Sequence, residues 1–132
     1  MEPAEGRKMT ETLTYSEWMV MNALWGRDPQ PLSGVIEAMG GTVAWSYRTY
    51  ASYLKKLCDK GFVGFEAKGR DKFYYPLVRR EDCIRAESRS LLKKVSSRSR
   101  KDLLLCMIEE SGLRDEDQAE LKTLIDRLGE SK

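Results

Sequence analysis

The chain of 132 residues contains no histidine. This absence excludes Ser-His-Asp and Cys-His catalysis, histidine-based zinc sites and imidazole pH switches. Cysteine is also scarce: Cys58, Cys83 and Cys106 lie far apart and form no CxxC pair, which excludes a zinc ribbon and a thioredoxin-type motif. An odd, sparse cysteine content suits a reducing cytoplasm better than a disulfide scaffold.

Long apolar runs are absent as well. None approaches the roughly 18 residues needed to cross a bilayer, and the first residues lack the apolar core of a signal peptide. The sequence has no Gly-rich phosphate loop and no cluster of metal ligands. Residues 115–117, which are all acidic, are better interpreted as the first turn of a helix than as catalytic carboxylates. We therefore expect a cytoplasmic binding protein with no membrane association, no cofactor and no metal, rather than an enzyme.

The net charge of +2 conceals a strong segregation of charge along the chain. Residues 1–42 hold 3 basic and 6 acidic side chains, and residues 43–78 hold 7 and 3. Residues 79–101 hold 9 and 3, whereas residues 102–132 hold 4 and 9. A basic middle between acidic ends indicates a positive face able to approach phosphates, although helical proteins also carry such blocks as ordinary solvated surface.

The first predicted element is a helix over about residues 15–25, which follows a polar, disordered tail over residues 1–12. Thr14 and Glu17 have the spacing of a capping box, with Thr14 as the N-cap. Apolar residues recur behind it at helical spacing: Trp18, Met21, Leu24 and Trp25. Trp18 is therefore expected in the core.

Two further helices follow a Pro-containing turn. Ser33 is predicted to cap a short helix that ends at Gly40-Gly41. Ser46 is the predicted N-cap of a third helix, which runs to about Lys60 and is closed by Gly61. On a helical wheel, one side of this third helix is apolar (Tyr50, Tyr53, Leu54 and Leu57) and the other is polar (Arg48, Ser52, Lys55 and Asp59).

A β-hairpin is predicted next. Residues 62–67 alternate and favour a strand, residues 68–71 form a turn, and residues 72–75 form a second strand that ends at Pro76. Three short helices followed by a hairpin are typical of a winged helix, in which the hairpin, or wing, lies beside the recognition helix. The expected fold is mainly α with a small β-hairpin wing: a winged helix-turn-helix DNA-binding domain over residues 13–78.

The remaining residues, 79–132, return to helical spacing and are predicted to form a helical dimerisation domain. A first stripe contains Ile84, Ser88, Leu91, Leu92 and Val95, and a Ser- and Arg-rich joint at residues 96–100 breaks the helix. Two further apolar stretches follow at residues 103–108 and 121–128. A segment of this length cannot easily bury three apolar helix faces within one chain. We therefore expect a homodimer to cover them. The residues predicted to dimerise are Leu91, Leu92, Leu103, Leu104, Leu121, Leu124, Ile125 and Leu128.

Four motifs, in order, resemble a known family. They are Leu13-Thr14-Tyr15-Ser16-Glu17-Trp18 with the following Val20-Met21 and Leu24-Trp25, then Trp45-Ser46-Tyr47-Arg48-Thr49, then Lys56-Leu57-Cys58-Asp59-Lys60-Gly61-Phe62-Val63, then Asp71-Lys72-Phe73-Tyr74-Tyr75-Pro76. In this pattern, over about residues 13–128, the chain resembles the BlaI/MecI/CopY (penicillinase repressor) family of bacterial transcriptional regulators.

The resemblance implies a homodimeric winged-helix repressor that binds dyad-symmetric operator DNA, commonly with TACA/TGTA half-sites. Operators of the family lie upstream of β-lactamase, sensor-protease or copper-homeostasis genes. Many members carry a basic residue where this chain has Ala51, so its operator is expected to differ. The alternative hypothesis is a winged-helix protein-interaction module without sequence-specific DNA binding, which an acidic or apolar exposed face on the third helix would favour.

The predicted DNA-binding residues lie on the third helix and at the hairpin turn. Arg48 can form a bidentate pair with guanine, Thr49 can contact a thymine methyl group or a phosphate, and wing cations can neutralise phosphates. The alternative interpretation is a solvated helix face and a charged hairpin tip that only protects an edge. Trp45 either staples the helix start or lies against the sugar-phosphate backbone. The full predicted set is Ser46, Arg48, Thr49, Ser52, Lys55, Lys68, Arg70 and Lys72.

The resemblance also bears on how repression is relieved. In many relatives a sensor protease is the partner that relieves it, and some are cut between Asn and Phe at the position where this chain has Cys106-Met107. The altered pair favours a buried dimer-helix segment without cleavage, and Cys106 is interpreted as a free buried cysteine rather than a redox sensor or cross-dimer disulfide. Copper-responsive relatives end in CxC pairs that this chain lacks, which excludes copper control through that motif.

Overall fold

The structure, a computed structural model, describes residues 11–130. The disordered tail predicted over residues 1–12 therefore lies almost entirely outside the described residues. The chain divides into two compact units, one ending at Ser88 and one beginning at Arg89. The elements are α1 (Tyr15–Leu24), α2 (Leu32–Met39), α3 (Tyr47–Asp59), β1 (Val63–Lys68), β2 (Asp71–Pro76), α4 (Arg80–Leu92), a 3₁₀ turn (Ser97–Ser99), α5 (Arg100–Glu110) and α6 (Asp115–Glu130).

Helix α1 begins with the predicted capping box. The Thr14 hydroxyl accepts the Glu17 N–H at 3.2 Å, and Glu17 Oε1 accepts the Thr14 N–H at 2.9 Å. Two orphan donors of the first turn are thereby satisfied. The helix buries Met21 and Leu24, and the half-buried Trp18 packs against the same core, as expected.

The carboxylate of Glu17 has a second partner that sequence reasoning did not identify. Lys60, at the C-cap of α3, places Nζ 3.1 Å from Oε1 and 2.8 Å from Oε2 of Glu17. Only 3% of the Glu17 side chain is exposed, against 36% for Lys60. Burial alone would raise the pKa of Glu17, but hydrogen bonds from Lys60 and Thr14 and the Lys60 charge hold the pKa below its ordinary value. This ion pair joins the start of α1 to the end of α3.

Helix α2 begins differently from the prediction. Its N-cap is Pro31, with no side-chain cap hydrogen bond, and Ser33 lies exposed inside the first turn, so the predicted Ser33 cap is wrong. The fixed φ of proline presets an extended residue directly before the helix and so replaces a side-chain cap. The end is as predicted, because Gly40 adopts φ 56°, a left-handed conformation that glycine takes without strain.

The hairpin pairs β1 with β2 in antiparallel register, from Val63 opposite Pro76 to Lys68 opposite Asp71. Gly69 has φ 64°, as the first central residue of a two-residue hairpin turn requires. Gln30, in the connection between α1 and α2, pairs with Tyr74 of β2 as an isolated antiparallel bridge, through two backbone hydrogen bonds of 3.0 and 2.7 Å. This bridge ties the α1–α2 connection to the wing.

The core of the first unit lies among α1, α2, α3 and the hairpin, and it extends into α4. Its fully buried side chains include Leu54 and Leu57 of α3. Trp25 Nε1 donates to the Val78 carbonyl at 2.9 Å, and Cys83 and Ala86 of α4 join the buried cluster. The fold of this unit is the predicted winged helix-turn-helix.

The apolar stripe predicted on α4 faces away from this core. Helix α4 instead buries Asp82, Cys83 and Ala86. Of the stripe residues, Ile84 is 44% exposed and Leu91 is 36% exposed. The helix ends at Leu92, so Val95 lies outside it, in a turn. Burial is decided by what the helix packs on, and the smaller side chains of α4 lie against the core.

In the second unit, α5 and α6 pack together and form two cross-helix ion pairs. Lys101 lies 3.6 Å from Asp126, and Lys122 lies 4.0 Å from Glu109. Among the described residues of this unit, Ile108 is the buried apolar side chain. Of the residues predicted to dimerise, Leu92, Leu103 and Ile125 are half-buried and the others are exposed: Leu91, Leu104, Leu121, Leu124 and Leu128. No helix within residues 11–130 is long and apolar enough to cross a membrane.

Candidate nucleic-acid interface

Helix α3 presents a polar face because its apolar face is fixed in the core. Tyr50, Leu54 and Leu57 are buried, and the opposite face exposes Arg48, Ser52 and Lys55. These are the positions on which the wheel placed the polar side, so this part of the prediction is confirmed. Arg48 lies in the first turn, where the side chains of a recognition helix reach base edges.

The start of α3 is held by two local devices. Ser46 Oγ accepts the Thr49 N–H at 3.2 Å and lies 3.0 Å from Thr49 Oγ1. Thr49 is half-buried and Ser46 is exposed. Trp45 packs its ring 5.2 Å from that of Tyr50 and stacks on Tyr53 at 4.7 Å. The Trp45–Tyr50 contact joins N′ to N4, so Trp45 is a hydrophobic staple, one of the two roles left open.

Lys55 is the one predicted recognition-helix cation with an intrahelical partner. Its Nζ lies 3.1 Å from Asp59 Oδ2, and the two side chains are 78% and 66% exposed. Such an exposed pair contributes about 0.3–0.5 kcal/mol, so a phosphate can displace Asp59 at little cost.

The wing holds its cations over aromatic rings. Lys72 Nζ lies 4.5 Å from the centroid of Phe65, and Lys68 Nζ lies 5.2 Å from that of Phe73. The register places these two pairs on opposite faces of the ribbon. Arg70 is exposed at the turn between them. Cation–π contacts orient the ammonium groups without neutralising them, which leaves three positive charges at the tip of the wing.

Sequence reasoning did not assign a role to Tyr47, which the structure places at the first position of α3 with 68% exposure. A large aromatic side chain beside Arg48 adds apolar surface to the polar face. The signal for Tyr47 in the sequence was its position directly after Ser46, the predicted N-cap of the recognition helix. Ala51, on the next turn of the same helix, is half-buried.

The three cysteines are free: Cys83 is buried in the core, Cys58 of α3 is half-buried against it, and Cys106 of α5 is exposed. Burial, with a smaller effect of Asp82, raises the pKa of the Cys83 thiol to about 11, and burial also raises the pKa of Cys58. Both thiols therefore remain protonated at neutral pH and are poor nucleophiles. Cys106 is exposed in the single chain, and its expected burial, which belongs to a dimer-helix segment, stays a prediction. No metal-ligating group of three or more His, Cys, Asp or Glu side chains occurs in the described part of the chain.

The Cys106–Met107 peptide bond lies in the middle of α5, within a continuous helix. A protease binds its substrate as an extended strand, so cleavage at this bond requires local unfolding of α5. Met107 is 47% exposed in the single chain, so burial of this segment requires a second copy of the chain.

Comparison with known proteins decides the family of this chain. The family model described as penicillinase repressor matches residues 13–127. The chain belongs to the penicillinase repressor family. The family is one of transcriptional repressors and not of enzymes, and the resemblance identified in the four motifs is confirmed.

Among relatives in this family, the methicillin resistance regulatory protein MecI of Staphylococcus aureus (strain N315) is 25% identical over 118 residues, which cover 89% of this chain and 96% of MecI. The penicillinase repressor of Bacillus licheniformis is 25% identical over 119 residues, covering 90% and 93% of the two chains. A solution structure of monomeric Bacillus licheniformis BlaI in complex with the blaP half-operator is 26% identical, with a TM-score of 0.49, and covers 58% of this chain and 93% of that one.

Proposed function

We propose that this protein is a homodimeric transcriptional repressor that binds a dyad-symmetric DNA operator through α3 and the wing. The observation that carries the proposal is the exposed face of α3 with Arg48, Ser52 and Lys55, which one winged-helix unit presents together with the wing cations. Membership of the penicillinase repressor family supports the same function.

In the proposed complex, α3 enters the major groove and the wing lies along the backbone. Arg48 forms a bidentate contact with O6 and N7 of guanine, and Thr49 and Ser52 contact thymine methyl groups or phosphates. Lys68, Arg70 and Lys72 neutralise phosphates, with release of their counterions. RNA polymerase is then excluded from the DNA that the repressor occupies.

The alternative, a winged-helix module that binds only proteins, is less well supported. It was expected to show an acidic or apolar exposed face on α3. That face instead carries two cations, Arg48 and Lys55, and its one carboxylate, Asp59, is paired with Lys55. Two relatives are named methicillin resistance regulatory protein and penicillinase repressor. We therefore propose that the target genes serve antibiotic resistance and that the protein acts in the cytoplasm.

DNA binding is tested by fluorescence anisotropy with a duplex from the region upstream of the protein's own gene and a shuffled duplex of equal length. The native protein is expected to prefer the upstream duplex. A variant with Lys68, Arg70 and Lys72 changed to glutamine should weaken binding to both duplexes equally and make the salt slope shallower by about one for each phosphate that is no longer neutralised. No saturable complex of the native protein at low salt would contradict the proposed function.

The proposed homodimer uses the exposed leucines of the second unit. Leu124, 48% exposed on α6, is on the apolar face, whereas Thr123 points to the opposite side of the helix. Leu124→Glu is expected to weaken self-association about 100-fold, because it buries a charge in an apolar interface. Thr123→Glu adds the same charge and serves as the control. Sedimentation equilibrium measures both, and equal behaviour of the two variants would exclude this interface.

A further inference from the structure

Residues 89–101, which we name the basic segment, contain six cations and no acidic residue. The segment includes the end of α4, the turn after it, the 3₁₀ turn and the start of α5. It carries the largest net charge of any stretch of this length in the described chain, and the proposed DNA-binding surface on α3 and the wing does not include it. Its cations are Arg89, Lys93, Lys94, Arg98, Arg100 and Lys101.

All six side chains of these cations are exposed. Lys101 forms an exposed ion pair with Asp126 at 3.6 Å, and Arg100 Nη2 donates to the Leu92 carbonyl at 3.5 Å. Within residues 11–130, no ion pair is formed by Lys93, Lys94 or Arg98. These three cations are therefore available to a partner.

Apart from the exposed Lys101–Asp126 ion pair, two features indicate that the charge of the basic segment does not stabilise the second unit. Arg100 and Lys101 lie in the first turn of α5, where the helix dipole disfavours positive charge. Residues 102–132 contain 9 acidic side chains, yet Lys93, Lys94 and Arg98 form an ion pair with none of those that the structure describes. Local electrostatics favours acidic residues in the first turn of α5, so the cations indicate an external anionic partner.

We propose that the basic segment binds DNA phosphates outside the base pairs that α3 reads, and so extends the contact of the repressor along the duplex. This inference rests on the proposed function. Helix α4 is a single helix that begins in the winged-helix unit and ends in the basic segment. Because the basic segment is covalently joined to the winged-helix unit, DNA bound by that unit is present at a high effective concentration for the cations of the segment.

The hydroxyl groups of the segment fit the same partner. Ser96, Ser97 and Ser99 are exposed between the cations, and serine hydroxyls are common donors to phosphate oxygens. An acidic protein surface, including the first turn of α6 in a second copy of this chain, has the complementary charge as well. The test therefore measures DNA binding and self-association separately.

The test uses a full-length variant with Lys93, Lys94 and Arg98 changed to glutamine. The matched control changes Arg114, Lys122 and Arg127 to glutamine, which removes the same charge from the same unit. Two duplexes from the upstream region are compared by anisotropy over a series of salt concentrations: one limited to the protected dyad and one extended by a helical turn on each side. Hydroxyl-radical footprinting of the native protein gives an independent measure of the flanking contact.

We expect the native protein to bind the extended duplex more tightly and to protect its flanks. The basic-segment variant should lose this gain, about tenfold in affinity, and show a salt slope shallower by about two to three per protomer. The control should keep both. Equal salt slopes for variant and control, unprotected flanks, or loss of self-association with an unchanged flank contribution would each overturn the proposal. Failure of the native protein to bind either duplex would instead refute the proposed function.

Discussion

Replacing Arg48 with alanine is expected to weaken binding to the operator about 10- to 100-fold and to leave binding to unrelated DNA nearly unchanged. The reason is geometric. Arg48 lies exposed in the first turn of α3, and this turn is held in place by the Ser46 cap and the Trp45 staple. A bidentate guanine contact gives sequence discrimination, whereas a phosphate contact gives affinity for any sequence. Anisotropy with upstream and shuffled duplexes separates the two effects.

Lys55→Ala provides the matched control, since it removes one cation from the same exposed face. Lys55 already pairs with Asp59, so its loss should change affinity only a few-fold and to the same extent on both duplexes. If Arg48→Ala also weakened binding equally on both duplexes, Arg48 would be a phosphate contact and the base-reading role would be wrong.

Lys60→Met is expected to lower the free energy of unfolding by about 2–3 kcal/mol at neutral pH, which is less than the about 3–5 kcal/mol for breaking a fully buried pair, because Lys60 is partly exposed. The methionine keeps an apolar stem but leaves the Glu17 carboxylate buried without its cation. Urea denaturation followed by tryptophan fluorescence measures the change. Lys56→Met, one helical turn before it, removes an equal charge and an exposed cation–π contact with Tyr53 at 5.4 Å, and should cost no more than about 1 kcal/mol.

The same ion pair predicts a dependence of stability on pH. The pKa of Glu17 is lowered in the folded protein, so its contribution is fully present above the pKa of the unfolded chain and is lost as the pH falls through the folded pKa. The difference between the native protein and Lys60→Met should therefore shrink at acidic pH, below the lowered pKa of Glu17, where the carboxyl group takes up a proton. An undiminished difference at that pH would show that packing of the lysine stem, rather than the charge pair, is responsible.

The local features of the winged helix could be predicted because each depends on neighbours in sequence. The Thr14 capping box, the Ser46 cap and the Gly40 and Gly61 helix ends all involve residues within a few positions of one another. The predicted Ser33 cap is also a local feature, but it was wrong because the helix begins after Pro31, two residues earlier. The motifs that carry the family resemblance lie on these same elements.

Contacts between distant residues could not be predicted in this way. Nothing near Glu17 indicates that Lys60 is its partner, and nothing in the α1–α2 connection indicates that Gln30 pairs with Tyr74. The α4 stripe shows the same limit: periodicity shows that a helix has an apolar face, but only packing shows whether this chain covers it. In this chain, Ile84 and Leu91 are left exposed.

The sequence by itself therefore determined the elements, the family and the residues of the polar face of α3, since capping, periodicity and motif spacing are all local properties. Tertiary structure alone decided the wing geometry, with Lys72 over Phe65, because strand register brings these residues together. It also decided that most of the predicted dimerisation residues remain exposed in one chain. These outcomes depend on which surfaces meet, and the free energy of burial is gained only where a partner surface is present.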